Sequence, residues 1–518
     1  MHASELEVFR HRCTAIAEEM GAALERSALS SNIQERRDYS CALFDASGRM
    51  IAQAAHIPVH LGAMPRSVEA AIAHCAPLNE GDVIILNDPF AGGTHLPDFT
   101  TVAPIFWEGV LVAYSATRAH HADVGGMTPG SMPLSRSLFQ EGIIIPPIRL
   151  VDRGTRNEAV FSLIVRNSRT QDERRGDLAA QCACHTIAHE RLLVLLGRIG
   201  VEQFVAQTNA LIAYSRRQME LLLAQIPPGR FTAVEYLDDD GISPQHIAIQ
   251  VALTIDATHI LVDFTGTAQQ CAGPLNAPRA VTESAVLYAL RLIAPDDVPM
   301  TAGTSEPISF VIPVGSILNP LPPAAVAGGN VETSQRVVDV VLRALSTAIP
   351  DRVPAQSAGT MNNWTMGGLR ADGSPFAYYE TLGGGMGARP TVDGLNAVQT
   401  HMTNTRNSPV EAFERLYPVR VQELSIRRGS GGDGSHSGGA GLTKRILFVQ
   451  PATVTLLTER RRLQPAGSRG GDNGAEGQNL LMHADTVVQL SGKGSIEVQA
   501  GDVLTIETPG GGGHGQST

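Results

Sequence analysis

The chain is poor in aromatic residues, which make up 5% of its 518 positions, and it carries six cysteines and no excess of basic residues. Each scarcity excludes something. Lysine and arginine number 40 against 51 aspartates and glutamates, a formal net charge of -11. Neutralising phosphates takes a basic surface, so nucleic acid is not an expected partner. Cys13, Cys41, Cys75, Cys182, Cys184 and Cys271 are scattered without the pattern of a disulfide framework, and the chain opens on neither a signal peptide nor a membrane span. The expectation is a cytoplasmic protein with reduced thiols and no membrane partner. No heptad array or fixed-period repeat appears. A Gly-x-x-x-x-Gly-Lys-Ser/Thr phosphate loop is also missing, the nearest run at 438–444 having the wrong spacing.

What is present reads as an ordinary folded protein, 43% hydrophobic and 18% charged. A chain of this length exceeds one compact core. The patterns predict a mixed α/β (α+β) multidomain protein in three parts: an N-terminal α/β domain over 1–226, a central α+β domain over 227–353, and a glycine-rich, mainly β domain over 354–518. Ser4 and Glu7 form a capping-box pattern ahead of an apolar stripe at three- and four-residue steps, which predicts a helix to about Leu29. Further helices are expected at 63–74, 178–198, 201–223, 279–292 and 334–349. Strands are expected at 39–44, 50–54, 83–86, 101–107 and 110–116. Beyond Pro227-Pro228-Gly229, an antiparallel meander is expected over 230–240, 246–255 and 258–264. Short strands at 442–448, 453–458, 487–490 and 503–507 complete the prediction.

The chemistry is concentrated in one stretch. The run from Asn87-Asp88-Pro89 through Gly92-Gly93-Thr94-His95-Leu96-Pro97-Asp98 is followed by His120-His121-Ala122-Asp123. Glycines and prolines supply the turns that bring ligands from strand ends into one pocket. If 101–107 and 110–116 pair as a hairpin, His120 returns close to His95. Imidazole plus carboxylate is a nitrogen and oxygen set suited to zinc, manganese or ferrous iron and too rich in nitrogen for calcium or magnesium. Thiolates are absent from the cluster, which argues against a closed structural zinc site. With an open position, such a site acidifies a bound water or polarises a carbonyl. The competing reading is that these histidines cap backbone groups.

Other features have blander readings. Cys182, Cys184, His185 and His189 suggest zinc, but two cysteines two apart on a helix point about 200° apart, and His185/His189 lack the His-Glu-x-x-His arrangement. They read as structural. Three glycine clusters lie at 383–387, 429–441 and 510–515. The last reads as a frayed terminus, and the first two as places where backbone meets a ligand or a subunit. His401, Asn404, Asn407 and Glu411 either contact substrate or satisfy loop backbone. Arg460-Arg461-Arg462 reads as a solvated face or a partner contact.

The segment from Ser31 through Glu35-Arg36-Arg37-Asp38-Tyr39 to Asp45, the 87–98 run and His120-His121-Ala122-Asp123-Val124-Gly125-Gly126 closely resemble the hydantoinase B family. The resemblance continues through Arg175-Gly176-Asp177-Leu178, 262–267, Glu380-Thr381-Leu382-Gly383, 404–411 and 431–441, nearly the whole chain. That family includes the B subunits of ATP-dependent hydantoinases, 5-oxoprolinases and caprolactamase, and subunits of acetone and acetophenone carboxylases. The resemblance implies a B subunit of an ATP-dependent cyclic-amide hydrolase, with a divalent metal (zinc, manganese or iron) on this chain and ATP bound by a partner. The implied partner is a hydantoinase A-type ATPase subunit that phosphorylates the substrate, in a hetero-oligomer with two copies of each subunit. Transferred residue by residue, the ligands are His95, Asp98, His120 and, at the mouth of the 39–44 strand, Asp38. His121 or Asp123 handles a proton, since neighbours on a strand face opposite ways and both histidines do not bind one ion. Asp88 orients a ligand from behind. Two alternatives stay open: a ketone carboxylase subunit, and an amidohydrolase that needs no ATP.

Overall fold

The computed structural model describes residues 3–54, 57–60, 62–484 and 486–517. Its first layer is a seven-stranded sheet whose strands run, edge to edge, Met50–Gln53, Tyr39–Asp45, Val110–His120, Asp98–Trp107, Val83–Leu86, Ile148–Asp152 and Thr155–Arg156. Every neighbouring pair is antiparallel. Helices cover both faces, which is why the central strands are buried along nearly their whole length instead of alternating. Tyr114, Ala116, Val102 and Ile84 pack with Val68 and Ala71 of the helix Met64–Cys75. On the other face, Ala113 and Ala119 join a core with Phe9, Met20 and Leu24 of the helix Ala3–Ser27 and Leu192 of the helix Gln171–Ile199.

Ser4 lies inside the first helix, not at its cap, and Glu7 instead pairs with Arg10 and His11 along the surface. The residues before Ala3 lie outside the described ones. The predicted hairpin forms and is longer than expected at its open end, with Asp98 directly opposite His120.

The central sheet orders Ile308–Val311, Ile260–Asp263, Ile247–Ile255 and Gly229–Leu237. It departs from the expected meander at one edge, where Ile308–Val311 pairs parallel to Ile260–Asp263. The chain between those two strands passes through the helix Arg279–Leu292, and such a crossover returns the second strand in the same direction. The apolar stripe Val337, Val338, Val341, Leu342 and Leu345 of the helix Ser334–Ser346 is buried in this core.

Two further antiparallel sheets follow. One is built from Pro375–Glu380, Asn363–Leu369, Ala452–Leu457 and Lys493–Val498, and the other from Val419–Arg427, Gly441–Phe448, Val503–Glu507, Gln478–His483 and Thr486–Gln489. Around them the glycine clusters interleave. Gly511 donates to the Gly439 carbonyl, Gly439 to Met386, Gly512 to Gln356 and Gly513 to Asp472, at 2.8–2.9 Å. Residues 510–514 are therefore buried and not a frayed end. A β-carbon on Gly438 would stand 2.0 Å from the Gly511 oxygen, and one on Gly385 would stand 1.9 Å from the Gly439 oxygen. These segments are glycine because backbone packs directly on backbone.

The arginine run is also corrected. Arg460 is 2% exposed and donates to Asp339 and Gln356, while Arg461 donates to Asn362 and Asn479. The buried Asp339, distant in sequence, needs the Arg460 cation, Arg461 is half-buried against two asparagines, and Arg462 is exposed. Among the described residues, no helix is long and apolar enough to cross a membrane.

Candidate metal centre

The loop before Asp98 is folded by its own side chains. The Asn87 amide donates to the carbonyls of Leu96 and Ile143 and its oxygen accepts from Ile145, pinning both ends of the loop. Asp88 accepts from the Phe90 amide, closing a turn, and Gly93 donates to the Asp88 carbonyl. At Gly93 a β-carbon would come within 2.5 Å of the Asn87 oxygen, so the loop requires glycine there. Asp88, expected to orient a ligand from behind, thus shapes the loop that carries His95.

This loop delivers His95 beside the Asp98/His120 pair. Nε2 of His95 lies 3.1 Å from Asp98 Oδ1, and Nδ1 of His120 lies 3.3 Å from the same oxygen. One ligand atom from each of the three residues falls within 4.8 Å of the others, and all three side chains are buried. Asp98 Oδ2 is held from the other side by the Thr94 hydroxyl at 2.6 Å and faces His60 Nε2 at 3.5 Å. The Ala327 carbonyl lies 3.3 Å from His95 Nδ1; a carbonyl only accepts, so the proton sits on Nδ1 and Nε2 keeps its lone pair. Nε2 of both His95 and His120 lacks a hydrogen-bond partner although buried. Unpartnered imidazole nitrogens beside a carboxylate fit a divalent ion of the zinc, manganese or iron type.

Burial and the neighbouring charges set the protonation of the three groups. Burial works to raise the Asp98 pKa, but His95 and the other imidazoles close to it hold it well below the usual carboxylate range. Burial also opposes charge on both imidazoles. Asp98 outweighs it at His95, whose pKa rises, whereas at His120 burial prevails and the pKa falls. The pocket therefore keeps a carboxylate charged and at least one imidazole neutral, the protonation states in which both ligate.

Asp38 lines the same cavity, and its carbonyl accepts from the His120 amide. Its carboxylate stands outside the group of three and lies 3.8 Å from the guanidinium of Arg36. Arg36 is itself fully buried, and it donates to the Tyr379 carbonyl and the Thr381 and Thr405 hydroxyls, tying those loops over the site.

His121 and Asp123 do not face the cluster. On the strand, Arg118 and His120 share the face of the helix Met64–Cys75, with Arg118 donating to Ser67 on that helix. His121 falls on the opposite face, 4.3 Å from the ring of Phe99, with Nε2 2.7 Å from Gln181 of the helix Gln171–Ile199. Burial pushes its pKa down to about 3. Asp123 is saturated by the amides of Gly125, Gly130 and Arg169 and by the Arg169 guanidinium at 3.0 Å. The fold thus brings neither residue, expected to handle a proton, into the group of His95, Asp98 and His120. His185, between Ser115 and Thr101, is structural as expected.

Among the cavity residues that escaped the sequence reading are His60, Tyr379, Asn330 and Met402. The Tyr379 ring stacks on His120 at 4.4 Å and 17°. Asn330 sits in a π-helical turn, Gly329–Thr333, with its side-chain oxygen buried and unpartnered. Such turns recur at functional sites, but only coordinates reveal them. Beside His120 the free volume is about 20 Å³, room for a single water.

The whole chain, residues 2–517, matches the model of a family described as hydantoinase B/oxoprolinase. It is 41% identical to 5-oxoprolinase 1 of Arabidopsis thaliana over 544 residues, covering 99% of this chain and 42% of that protein. The chain thus spans about two fifths of the length of the first curated relatives it matches. The ATP-dependent caprolactamase from Pseudomonas jessenii superposes with a TM-score of 0.94 at 28% identity, covering 100% of this chain and 91% of that one. A nucleotide-free acetone carboxylase superposes at 0.91 over 98% of this chain and 75% of that one, and its 18% identity speaks to the fold alone. By the family match across its full length, the chain belongs to the hydantoinase B/oxoprolinase family.

Proposed function

We propose that this chain is the metal-binding B subunit of an ATP-dependent cyclic-amide hydrolase acting on a hydantoin, 5-oxoproline or a related lactam. The observation that carries the reading is the buried cluster of His95, Asp98 and His120 with two unpartnered imidazole nitrogens. These three hold the ion, and Asp38 on the cavity wall is the fourth candidate. A divalent ion there supplies Lewis acidity toward a carbonyl and lowers the pKa of water.

The surrounding residues have separable tasks. Thr94 and His60 orient Asp98 so that Oδ1 faces both other ligands. Tyr379 stacks against His120 and fixes its plane. Asn330 offers a carbonyl oxygen to the substrate N–H. Since the cavity now holds only about one water, a ring enters when the loops tied by Arg36 move apart.

ATP is assigned to a hydantoinase A-type partner, in an assembly with two copies of each subunit, because these 518 residues carry no phosphate loop. The site of action is the cytoplasm. The deciding experiment pairs metal analysis by plasma mass spectrometry with an assay of 5-oxoproline opening, with and without ATP and an A-type subunit. Near-stoichiometric metal and ATP-dependent opening support the reading. A folded chain that carries no metal and binds none on titration overturns it.

A further inference from the structure

A second cavity, of 240 Å³, lies between the helix Ser334–Ser346 and the loops at 353–356 and 466–469. One short segment divides it from the histidine cluster: His401 lines this cavity, while Met402 and Thr403 line the other. Deep in it stands Asp339, its side chain 1% exposed. Arg336 at 2.6 Å and Arg460 at 2.8 Å both engage Asp339 Oδ2. Oδ1 is buried with no hydrogen-bond partner, and the imidazole Nε2 of His401 lies 4.0 Å away. Burial lowers the His401 pKa to about 4, so that ring is neutral and does not fill the vacancy with charge. A buried acceptor left open is unfavourable unless something occupies it.

The other walls are of the opposite kind. The Ser468 hydroxyl is buried and unpartnered. Arg343 and Arg469, half exposed at the mouth, each spend one nitrogen on an acid, Glu235 and Asp351 respectively, and keep the rest of the guanidinium free. The cavity therefore offers at its base an open carboxyl oxygen, on a group whose pKa burial raises to about 7 against the pull of Arg336, and toward its mouth hydroxyl and guanidinium donors, with Glu235 held by Arg343.

We propose that this cavity binds a small amino acid, its ammonium on Asp339 Oδ1 and its carboxylate toward Ser468, Arg343 and Arg469. A closed lactam has no ammonium, whereas opening the ring frees one and adds a new carboxylate. If the proposed activity holds, the occupant is the ring-opened product, resting one segment away from where it forms. That identification rests on the proposed function; the site itself rests on the cavity.

The test is calorimetric titration of the full chain with L-glutamate and 6-aminohexanoate, the opened forms of 5-oxoproline and caprolactam. At least one is expected to bind, with 5-oxoproline and glutarate, which lack the ammonium, weaker by about tenfold or more. Asp339→Asn is expected to weaken binding by at least about tenfold. Should that variant fail to fold, Ser346→Phe on the cavity lip fills the space without touching the buried ion pairs and has the same expected result. His95→Ala is expected to leave binding unchanged. No heat with either amino acid, equal binding of glutarate, or loss of binding in His95→Ala overturns the site. Binding without any lactam opening by the assembled enzyme retains the site and removes the product assignment.

Discussion

The cluster of His95, Asp98 and His120 is buried, and the interleaved glycine segments of the C-terminal region are buried at 383–385 and 510–514, yet the two are built on opposite terms. At the cluster, side chains make the site. Polar groups are carried out of water and compensated by Thr94, Ala327 and one another, and two nitrogens are left for an ion. Among the glycines, side chains are what the structure cannot hold. Backbone amides and carbonyls of segments distant in sequence bond at 2.8–2.9 Å with no space between. The first arrangement stores chemistry and the second stores shape. It follows that the cluster tolerates loss of atoms while the glycine layers tolerate no gain.

The largest expected effect tests the glycine side. Gly438→Ala and Gly385→Ala each place a carbon within 2.0 Å of a carbonyl oxygen that is itself hydrogen-bonded or buried. Backbone has no rotamer by which to retreat, so each is expected to destabilise the fold by about 3 kcal/mol or more. Urea denaturation followed by far-ultraviolet dichroism measures this. A loss under about 1 kcal/mol would show that the layers yield and that the comparison is false.

The cluster makes the opposite prediction. His95→Ala with His120→Ala is expected to remove bound metal and ATP-dependent ring opening while the apo chain still unfolds cooperatively. Deleting two buried rings leaves a hole but also relieves two unpartnered nitrogens. Collapse of the fold in this double variant would make the cluster structural.

Asp177 lies between the two extremes, a buried charge with no part in the chemistry. Its Oδ1 accepts from the amides of Leu29 and Ser30, and Oδ2 takes Arg174 at 3.0 Å. Asp177→Asn keeps the acceptor but leaves Arg174, which is fully buried and already has two unpartnered nitrogens, to the more distant Glu173 at 3.9 Å. A loss of about 2 kcal/mol at neutral pH is expected. Burial works to raise the Asp177 pKa, but Arg174 and the hydrogen bonds hold it below its ordinary value of 3.8. Its contribution is therefore present above pH 3.8 and disappears as pH falls through the lower folded value. The gap between wild type and variant should narrow below pH 3.8; a gap constant with pH would mean that the charge is irrelevant.

The same contrast explains what could be read from the sequence. The hairpin and its ligands were legible because strand pairing is local: Asp98 and His120 are joined by one turn, and their register follows from it. Alternation along the strand also warned that His120 and His121 would part. What could not be read depended on contacts between distant segments. Tyr379 reaches His120, and His60 reaches Asp98, from elsewhere in the chain, and nothing near either residue announces the meeting. Arg460 and Arg461 look like surface until Asp339 and Asn362 are set against them. The terminal glycines look frayed because glycine permits disorder, and only the opposing glycines at 431–441 turn that freedom into close approach.

The smallest prediction sharpens the contrast by using glycine against itself. Gly197 lies in the helix Gln171–Ile199, exposed, where a β-carbon would meet only the edge of Trp107 at 3.7 Å, an ordinary contact. Nothing there needs close approach, and glycine in a helix leaves the unfolded chain more freedom than alanine does. Gly197→Ala is therefore expected to stabilise the protein by about 0.5–1 kcal/mol, read as a higher urea midpoint with unchanged slope. Set beside Gly438→Ala, the same added methyl then changes sign, and the difference between the two midpoints isolates the packing of backbone on backbone from the conformational preference of glycine itself. A destabilising Gly197→Ala would remove that separation, because the loss at Gly438 could then belong to alanine anywhere in this chain.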